Sequence, residues 1–147
     1  MKVFIFYESR FGNGKLLSEN LKKLLKDRGA EAEAFSIREV NLKGIGPADF
    51  YVFSAPMRMF MLPLAMRGFI GGFKPPKLGT GYALMTTYLD PRVKALSVMK
   101  QLLDRKGMVK TGTDFKVKVL NTEGPLESGY EPGLEKFADE IISFKNL

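Results

Sequence analysis

Apolar and polar positions follow two alternating patterns along the 147-residue chain. Three apolar runs, at Lys2–Tyr7, residues 49–56 and residues 80–88, are rich in aromatic and aliphatic side chains. Such runs are typical of strands that are buried on both faces of a parallel sheet. Residues 30–35 alternate as a more exposed strand does, and residues 114–121 complete a set of five predicted strands.

Helical periodicity occupies the intervals between these strands. The first interval has leucines at helical spacing and lysines on the opposite face, which predicts a helix that stops at Gly29. A short helix is predicted at residues 63–70. A longer helix takes Asp90 as its N-cap, Pro91 in its first turn and Gly107 as its stop. The predicted apolar faces of the first and last helices are Leu16, Leu17, Leu21, Leu24 and Leu25, and Leu134, Phe137, Ile141 and Ile142.

The order of these elements predicts the fold class. Strands that alternate with helices favour a parallel sheet covered on both sides. Five strands in a chain of this length fit an α/β, doubly wound, three-layer sandwich with a five-stranded parallel sheet. The chain shows no internal repeat, no low-complexity segment and no long linker. We therefore expect one domain over residues 1–147.

The composition removes several kinds of chemistry. Cysteine and histidine are both absent, which excludes disulfides, thiol nucleophiles, cysteine-based zinc sites and imidazole acid–base catalysis. No loop rich in Asp and Glu suggests an all-oxygen metal site. No side chain stands out as an independent acid, base or nucleophile. Any redox or group-transfer chemistry would therefore draw on a borrowed cofactor.

The charge balance and the hydropathy bear on partners and location. The net charge is +7, which favours anionic partners; the alternative is a basic surface that serves only solubility. No compact run of Lys and Arg interleaved with aromatics supports nucleic-acid binding. No apolar run approaches the ~20 residues of a membrane-spanning helix, and the run after Lys2 is shorter than a secretory signal requires. We expect a cytoplasmic protein that does not insert into membranes.

The turn from Glu8 to Gly14 joins the first strand to the first helix and carries the clearest chemical signal. Backbone amides at a helix N-terminus lack helical partners, and together with the helix dipole they attract anions. Two glycines let the backbone approach a ligand closely. The alternative is a tight turn in which the glycines only relieve strain. The residues that would form this phosphate cradle are Ser9, Arg10, Gly12, Asn13, Gly14 and Lys15.

Two other phosphate-binding motifs do not fit this turn. A P-loop needs a glycine five residues before Gly14, where the chain has Ser9. It also needs Ser or Thr after Lys15, where the chain has Leu16. The dinucleotide fingerprint fails because Leu17 stands where its third glycine would be.

On these residues the chain resembles the flavodoxin family, which includes flavodoxin-like quinone reductases. The family's first loop, in its variant S-x-Y-G-N-T, is similar to residues 9–14, with Phe11 at the aromatic position. The resemblance implies that this loop holds the phosphate of FMN. Gly14 replaces the usual final Thr, which removes one hydroxyl from the cradle. The resemblance covers essentially the whole chain and implies the strand order 2-1-3-4-5.

Two further loops resemble the flavin-binding loops of the family. They are SAPMRMFM (residues 54–61) after the third strand and TTYLDP (residues 86–91) after the fourth. Tyr88 is the expected stacking residue on one face of the flavin ring, and a side chain of the second loop would cover the other face. The closing segment, which begins GPLESGY, also resembles the family. The cofactor-binding residues implied by the two loops are Pro56, Met57, Arg58, Met59, Phe60, Thr86, Thr87, Tyr88 and Asp90.

Two departures from the family bear on redox chemistry. Flavodoxins carry a glycine in the second loop whose peptide flips toward the one-electron-reduced flavin, and residues 56–60 contain none. Since a residue with a side chain resists positive φ, we expect a weaker preference for the one-electron-reduced flavin than in flavodoxins. A positive Arg58 near the ring would raise the two-electron potential. Flavodoxins are acidic and this chain is basic, so a redox partner would present an acidic surface and dock more weakly at high salt.

Three functions stay open on the sequence. The first is an FMN-binding carrier that transfers electrons to or from a protein partner. The second is an FMN-dependent oxidoreductase that reduces a small acceptor such as a quinone, or oxidises a porphyrinogen-like substrate. The third is a flavodoxin-fold binding module that has lost FMN, and the missing hydroxyl at Gly14 motivates it.

Overall fold

The structure is a computed structural model that describes residues 1–57, 61–90 and 94–144. These ranges contain six strands and five helices, and none of the described helices is long and apolar enough to cross a membrane. The strands are β1 (Lys2–Tyr7), β2 (Glu31–Ser36), β3 (Phe50–Pro56), β4 (Gly81–Tyr88), β5 (Val109–Lys110) and β6 (Phe115–Lys118). The helices are α1 (Asn13–Asp27), α2 (Leu42–Ile45), α3 (Leu64–Gly72), α4 (Ala95–Asp104) and α5 (Glu131–Ile142).

The strands form one parallel sheet in the order β2-β1-β3-β4, with β5 and β6 both paired to the outer edge of β4. β5 pairs with the start of β4 and β6 with its end, where Lys118 lies opposite Tyr88. Gly112, at φ 67°, turns the chain between the two short strands. The predicted order 2-1-3-4-5 is confirmed, and its fifth position is shared by two consecutive strands.

The sheet is buried on both faces, and β1 shows why its sequence is apolar throughout. Val3 and Ile5 pack in a core with α1 and α5, whereas Phe4 and Phe6 pack in a second core with α3 and α4. Successive side chains of a strand point to opposite faces. Residues 3–6 of β1 therefore each meet one of the two cores, which leaves no face for polar side chains in this part of the strand.

Helix α4 begins later than the sequence predicts. Lys94 is its N-cap and Ala95 its first residue, so the prediction that Asp90 caps this helix is wrong. The chain must first leave the carboxyl end of β4 before a helix can run back across the sheet. Pro91 of that prediction lies outside the described residues. The predicted stop is confirmed, since α4 ends at Asp104 and Gly107 follows at φ 80°.

Helix α1 buries a narrower face than predicted. Leu17, Leu21 and Leu25 are fully buried, whereas Leu16 is 52% exposed. The buried positions recur at every fourth residue, and Leu16 lies to one side of that row. The assignment of Leu16 to the apolar face is therefore wrong.

Replacing Leu21 by Ala is expected to lower the free energy of unfolding by about 2–5 kcal/mol, because it leaves a cavity beneath α1. Leu16→Ala makes the same chemical change at an exposed position and is expected to stay within about 0.5 kcal/mol of the parent protein. Urea unfolding followed by circular dichroism measures both changes. A loss at Leu16 as large as the loss at Leu21 would contradict this orientation of α1.

Candidate functional site

A cavity of about 660 Å³ opens at the carboxyl ends of β1, β3 and β4. Its volume lies in the range of about 300–1,000 Å³ that is typical of pockets for small molecules and cofactors. Its walls come from four segments at or just after the ends of strands. The lining residues are Glu8, Ser9, Arg10, Phe11, Asn13 and Gly14, then Pro56 and Met57, then Thr87, Tyr88, Leu89 and Asp90, and lastly Val119 and Thr122.

The cavity brings most of the predicted site residues together. Arg58, Met59 and Phe60 fall outside the described residues. Gly12, Lys15 and Thr86 do not line the cavity, although each is next to a residue that does. Every other residue predicted to bind the cofactor is in its wall.

Gly12 starts α1 in a conformation that most residues avoid. It is the N-cap, with φ 91° and ψ −6° in the left-handed region, and no side chain of the described residues caps the helix. The Ser9 hydroxyl accepts a hydrogen bond from the Gly12 N–H at 3.1 Å. The Leu16 N–H donates the first helical bond to the Gly12 carbonyl at 2.9 Å. The amides of residues 13–15 have no helical acceptor, and this leaves donors for an anion.

Gly14 allows the first turn of α1 to lie directly against the end of β1. A Cβ placed on this buried glycine would lie 3.3 Å from the Glu8 carbonyl oxygen and 3.5 Å from Ser9 Cβ. The 3.3 Å contact is tighter than most Cβ contacts in proteins, so a side chain here would require the Glu8 carbonyl to shift by a few tenths of an ångström. Gly14 therefore has two consequences. The cradle lacks the hydroxyl that a Thr would supply, and the helix can pack closely against the strand.

Asn13 joins the first loop to the closing segment. Its Nδ2 donates a hydrogen bond to the Glu123 carbonyl at 3.2 Å. Gly124, at φ 105°, lies beneath the same amide, since a Cβ on it would be 2.6 Å from Asn13 Oδ1. Tyr130 accepts a hydrogen bond from Asn20 Nδ2 at 3.0 Å and lies outside the cavity wall. The closing segment is thus held against the start of α1 through its backbone.

The second and third loops are connected beside the cavity. The Met57 N–H donates to the Thr87 carbonyl at 3.0 Å. The Thr86 hydroxyl, predicted to bind the cofactor, is buried and donates to the Ala55 carbonyl at 2.8 Å. Thr86 therefore supports the loops from within the sheet, while Thr87 and the half-buried Tyr88 line the cavity.

Glu8 is the most important wall residue that the sequence did not predict. Its side chain has 0% exposure, although it is a carboxylate. Its Oε1 accepts hydrogen bonds from Arg38 Nε at 3.2 Å and from Arg38 Nη2 at 2.7 Å. The signal was an acidic residue directly after a buried apolar strand, a position where a charge needs a specific partner.

Leu89, Val119 and Thr122 were also missed. Leu89 lies in the third loop between two predicted residues, Tyr88 and Asp90. Val119 and Thr122 follow β6, at the carboxyl end of the fifth strand position. The rule that ligands bind outside the carboxyl ends of parallel strands would have pointed to this fourth segment.

Cations and exposed apolar side chains surround the mouth of the cavity. Arg10 lies over the Phe11 ring, with 5.4 Å from Cζ to the ring centroid. Phe11 is 44% exposed and Leu89 48% exposed. On the far edge, the exposed Lys118 is opposite Tyr88 in the sheet register. The described residues contain no cluster of three or more acidic side chains placed to hold a metal ion.

Solved structures of flavodoxins have the same architecture. Oxidised flavodoxin 1 from Bacillus cereus aligns with a TM-score of 0.80 over 99% of each chain, at 16% sequence identity. A flavodoxin from the domain Archaea aligns at 0.79 over 96% of each chain, also at 16% identity. The chain has a flavodoxin-like fold. The flavodoxin-like chain also aligns with rubredoxin oxygen:oxidoreductase from Desulfovibrio gigas, at a TM-score of 0.75 and 20% identity. This alignment covers 95% of the present chain and 35% of the oxidoreductase.

No protein-family model matches the sequence, and no curated protein matches it. At identities of 16–20% the likeness establishes the flavodoxin-like fold. The fold alone does not specify the ligand or the chemistry, which depend on the residues of the cavity.

Replacing Gly14 by Thr is expected to lower the free energy of unfolding by about 1–3 kcal/mol, since the new side chain overpacks the contact with Glu8. Gly68→Thr is the matched control, because Gly68 is exposed within α3 and a Cβ there meets nothing within 4 Å. That control is expected to be neutral or slightly stabilising, since Thr has a higher helix propensity than Gly. Equal destabilisation of both variants in urea titrations would show that Gly14 is not a close contact.

Proposed function

We propose that this protein binds FMN in the cavity and transfers electrons to or from a protein partner. The start of α1 carries the proposal. Gly12 replaces a capping side chain, and the amides after it are left as donors at the edge of a cavity of cofactor size. The flavodoxin-like fold supports the choice of ligand.

The wall residues fit the two ends of FMN. The phosphate would be held by the amides of residues 13–15, with the Ser9 loop around it and the exposed Arg10 and Lys15 adding positive charge. The ring would be held between apolar side chains, for which Met57, Tyr88 and Leu89 are placed in the wall. Bound FMN supplies one-electron and two-electron redox chemistry. The chain's own part is to bind and orient the cofactor and to keep water from its apolar face.

Adding FMN to the purified protein is expected to quench flavin fluorescence in a saturable, one-to-one titration. Gly12→Ala is expected to weaken this binding by about tenfold, since a Cβ disfavours the left-handed N-cap that directs the first amides. Gly29→Ala is the matched control. Gly29 has φ 90°, Gly12 has φ 91°, and neither has a heavy atom within 4 Å of its Cβ position.

The two glycine variants separate binding from stability. Both are expected to lose about 1–2 kcal/mol of folding free energy, because both impose a side chain on a left-handed residue. Only Gly12→Ala is expected to alter the FMN titration. No quenching by FMN at micromolar concentration in the parent protein would reject the FMN proposal and favour a binding module without this cofactor. Many turnovers of a soluble quinone would favour the oxidoreductase instead.

The proposed partner carries an acidic docking surface. The cavity exposes apolar side chains, Phe11 and Leu89, and the cation Arg10 in its wall. The exposed Lys116 and Lys118 lie opposite Thr86 and Tyr88 in the sheet register. Lys116 and Lys118 are alternate residues of β6, so both side chains leave the same face of the sheet. An electron carrier with such a mouth attracts negatively charged partners, and salt weakens the attraction.

Small redox ions provide the test of this surface. Oxidation of the reduced, FMN-loaded protein by ferricyanide is expected to slow as the ionic strength rises, whereas oxidation by a cationic cobalt complex is expected to accelerate. A Lys116→Gln/Lys118→Gln variant should show a smaller salt effect with ferricyanide. Lys23→Gln/Lys26→Gln, which removes the same charge from the far part of α1, should match the parent protein. Equal effects of the two double variants would remove the support for a docking surface at β6.

A further inference from the structure

The buried Glu8 and the surface residue Arg38 form a pair at the floor of the proposed phosphate cradle. The Glu8 side chain has 0% exposure and the Arg38 side chain 59%. Two guanidinium nitrogens of Arg38 donate to one carboxylate oxygen, Glu8 Oε1, at 2.7 and 3.2 Å. Arg38 itself does not line the cavity, whereas Glu8 does. An arginine at the surface therefore acts on the cavity through a buried carboxylate.

Glu8 lines the same cavity as the first residues of α1, whose amides would form the proposed anion site. Glu8 immediately precedes Ser9, and its carbonyl oxygen would lie 3.3 Å from a Cβ on Gly14. Its backbone thus packs against the first turn of α1, whose amides would hold the phosphate. A carboxylate beside a phosphate opposes binding, and burial strengthens that repulsion because the local dielectric constant is low. A cation on the carboxylate offsets the repulsion.

The end of β2 holds Arg38 where it can pair with Glu8. Arg38 follows β2, and its N–H donates to the Ser36 hydroxyl at 3.3 Å. β2 and β1 are adjacent parallel strands, with Ser36 opposite Tyr7, so their carboxyl ends lie side by side. The guanidinium therefore reaches Glu8 from the neighbouring strand end without entering the cavity.

We propose that Arg38, acting through Glu8, determines how strongly the cradle prefers a phosphorylated flavin to an unphosphorylated one. This inference rests on the proposed function. With Arg38 present, the charge of Glu8 is offset, and the amides with Arg10 and Lys15 dominate at the cradle. Without Arg38, less of that charge is offset, which opposes the phosphate of FMN but not riboflavin, which has no phosphate. Asp90, a further acidic wall residue, is common to every variant below and does not alter the comparison.

The experiment compares dissociation constants for FMN and riboflavin, measured by fluorescence quenching, in the parent protein and in Arg38→Gln, Glu8→Gln and the double variant. Arg28→Gln is the control for charge. Arg28 also pairs with a carboxylate, Asp139, at 2.6 Å, and it lies beyond the other end of the 15-residue helix α1, roughly 22 Å from the cradle. Arg28→Gln removes the same charge and an ion pair, in this case with a carboxylate that is exposed.

Arg38→Gln is expected to weaken FMN binding by about tenfold and riboflavin binding by less than about twofold, the difference of one charge interaction. The double variant is expected to recover the parent preference for FMN, and Arg28→Gln to keep it. Equal weakening of both flavins by Arg38→Gln would overturn the inference and leave Arg38 as a structural clamp. If Arg38→Gln fails to fold, Glu8→Gln and Arg38→Lys decide, since both should retain the preference for FMN.

Inorganic phosphate distinguishes a failure of this inference from a failure of the proposed function. If the parent protein binds neither flavin, the proposed function fails. The amide resonances of Gly12 and Gly14 can still be titrated with inorganic phosphate by NMR. A phosphate-dependent shift that saturates at about tenfold higher concentration in Arg38→Gln would support the role of the pair in anion binding. No shift in the parent protein, or an unchanged midpoint, would overturn it.

Discussion

Burial of both faces of the parallel sheet is the constraint on which the rest of this structure depends. β1 contributes alternate residues to two separate cores, one with α1 and α5 and one with α3 and α4. Helices that cover both faces leave the strand ends as the places where the backbone can meet a ligand. The cavity lies at the carboxyl ends because each strand must there turn into a loop that leads back over a face.

The close contact between β1 and α1 then shapes the cradle. Gly14 lets the helix start against the Glu8 carbonyl, and Gly12 turns the chain into the helix without a capping side chain. The amides that a cap would have satisfied are directed to the cavity edge instead. The same contact involves the backbone of Glu8, a wall residue whose buried carboxylate is paired with Arg38.

The local sequence pattern was enough to predict those elements whose structure depends on local geometry. The continuous apolar run of β1, the leucine spacing of α1 and the stops at Gly29 and Gly107 were all readable because each depends on local geometry. Prediction failed where an element's limit depended on distant packing. Asp90 has the side chain of an N-cap, but α4 begins at Ala95 with Lys94 as its N-cap. Leu16 has the right spacing for a wide apolar face, and the core accepts only the narrower one.

By itself the sequence determined the fold class and the loop that starts α1, since strand periodicity and glycine placement are local properties. Most of the other residues that meet in the cavity were implied by the resemblance to flavodoxins. Only the tertiary structure decided that Thr86 supports the sheet and that Val119 and Thr122 complete the wall. It alone paired Glu8 with Arg38, which are 30 positions apart. These facts depend on which strand ends become neighbours, and parallel pairing joins residues that no local pattern relates.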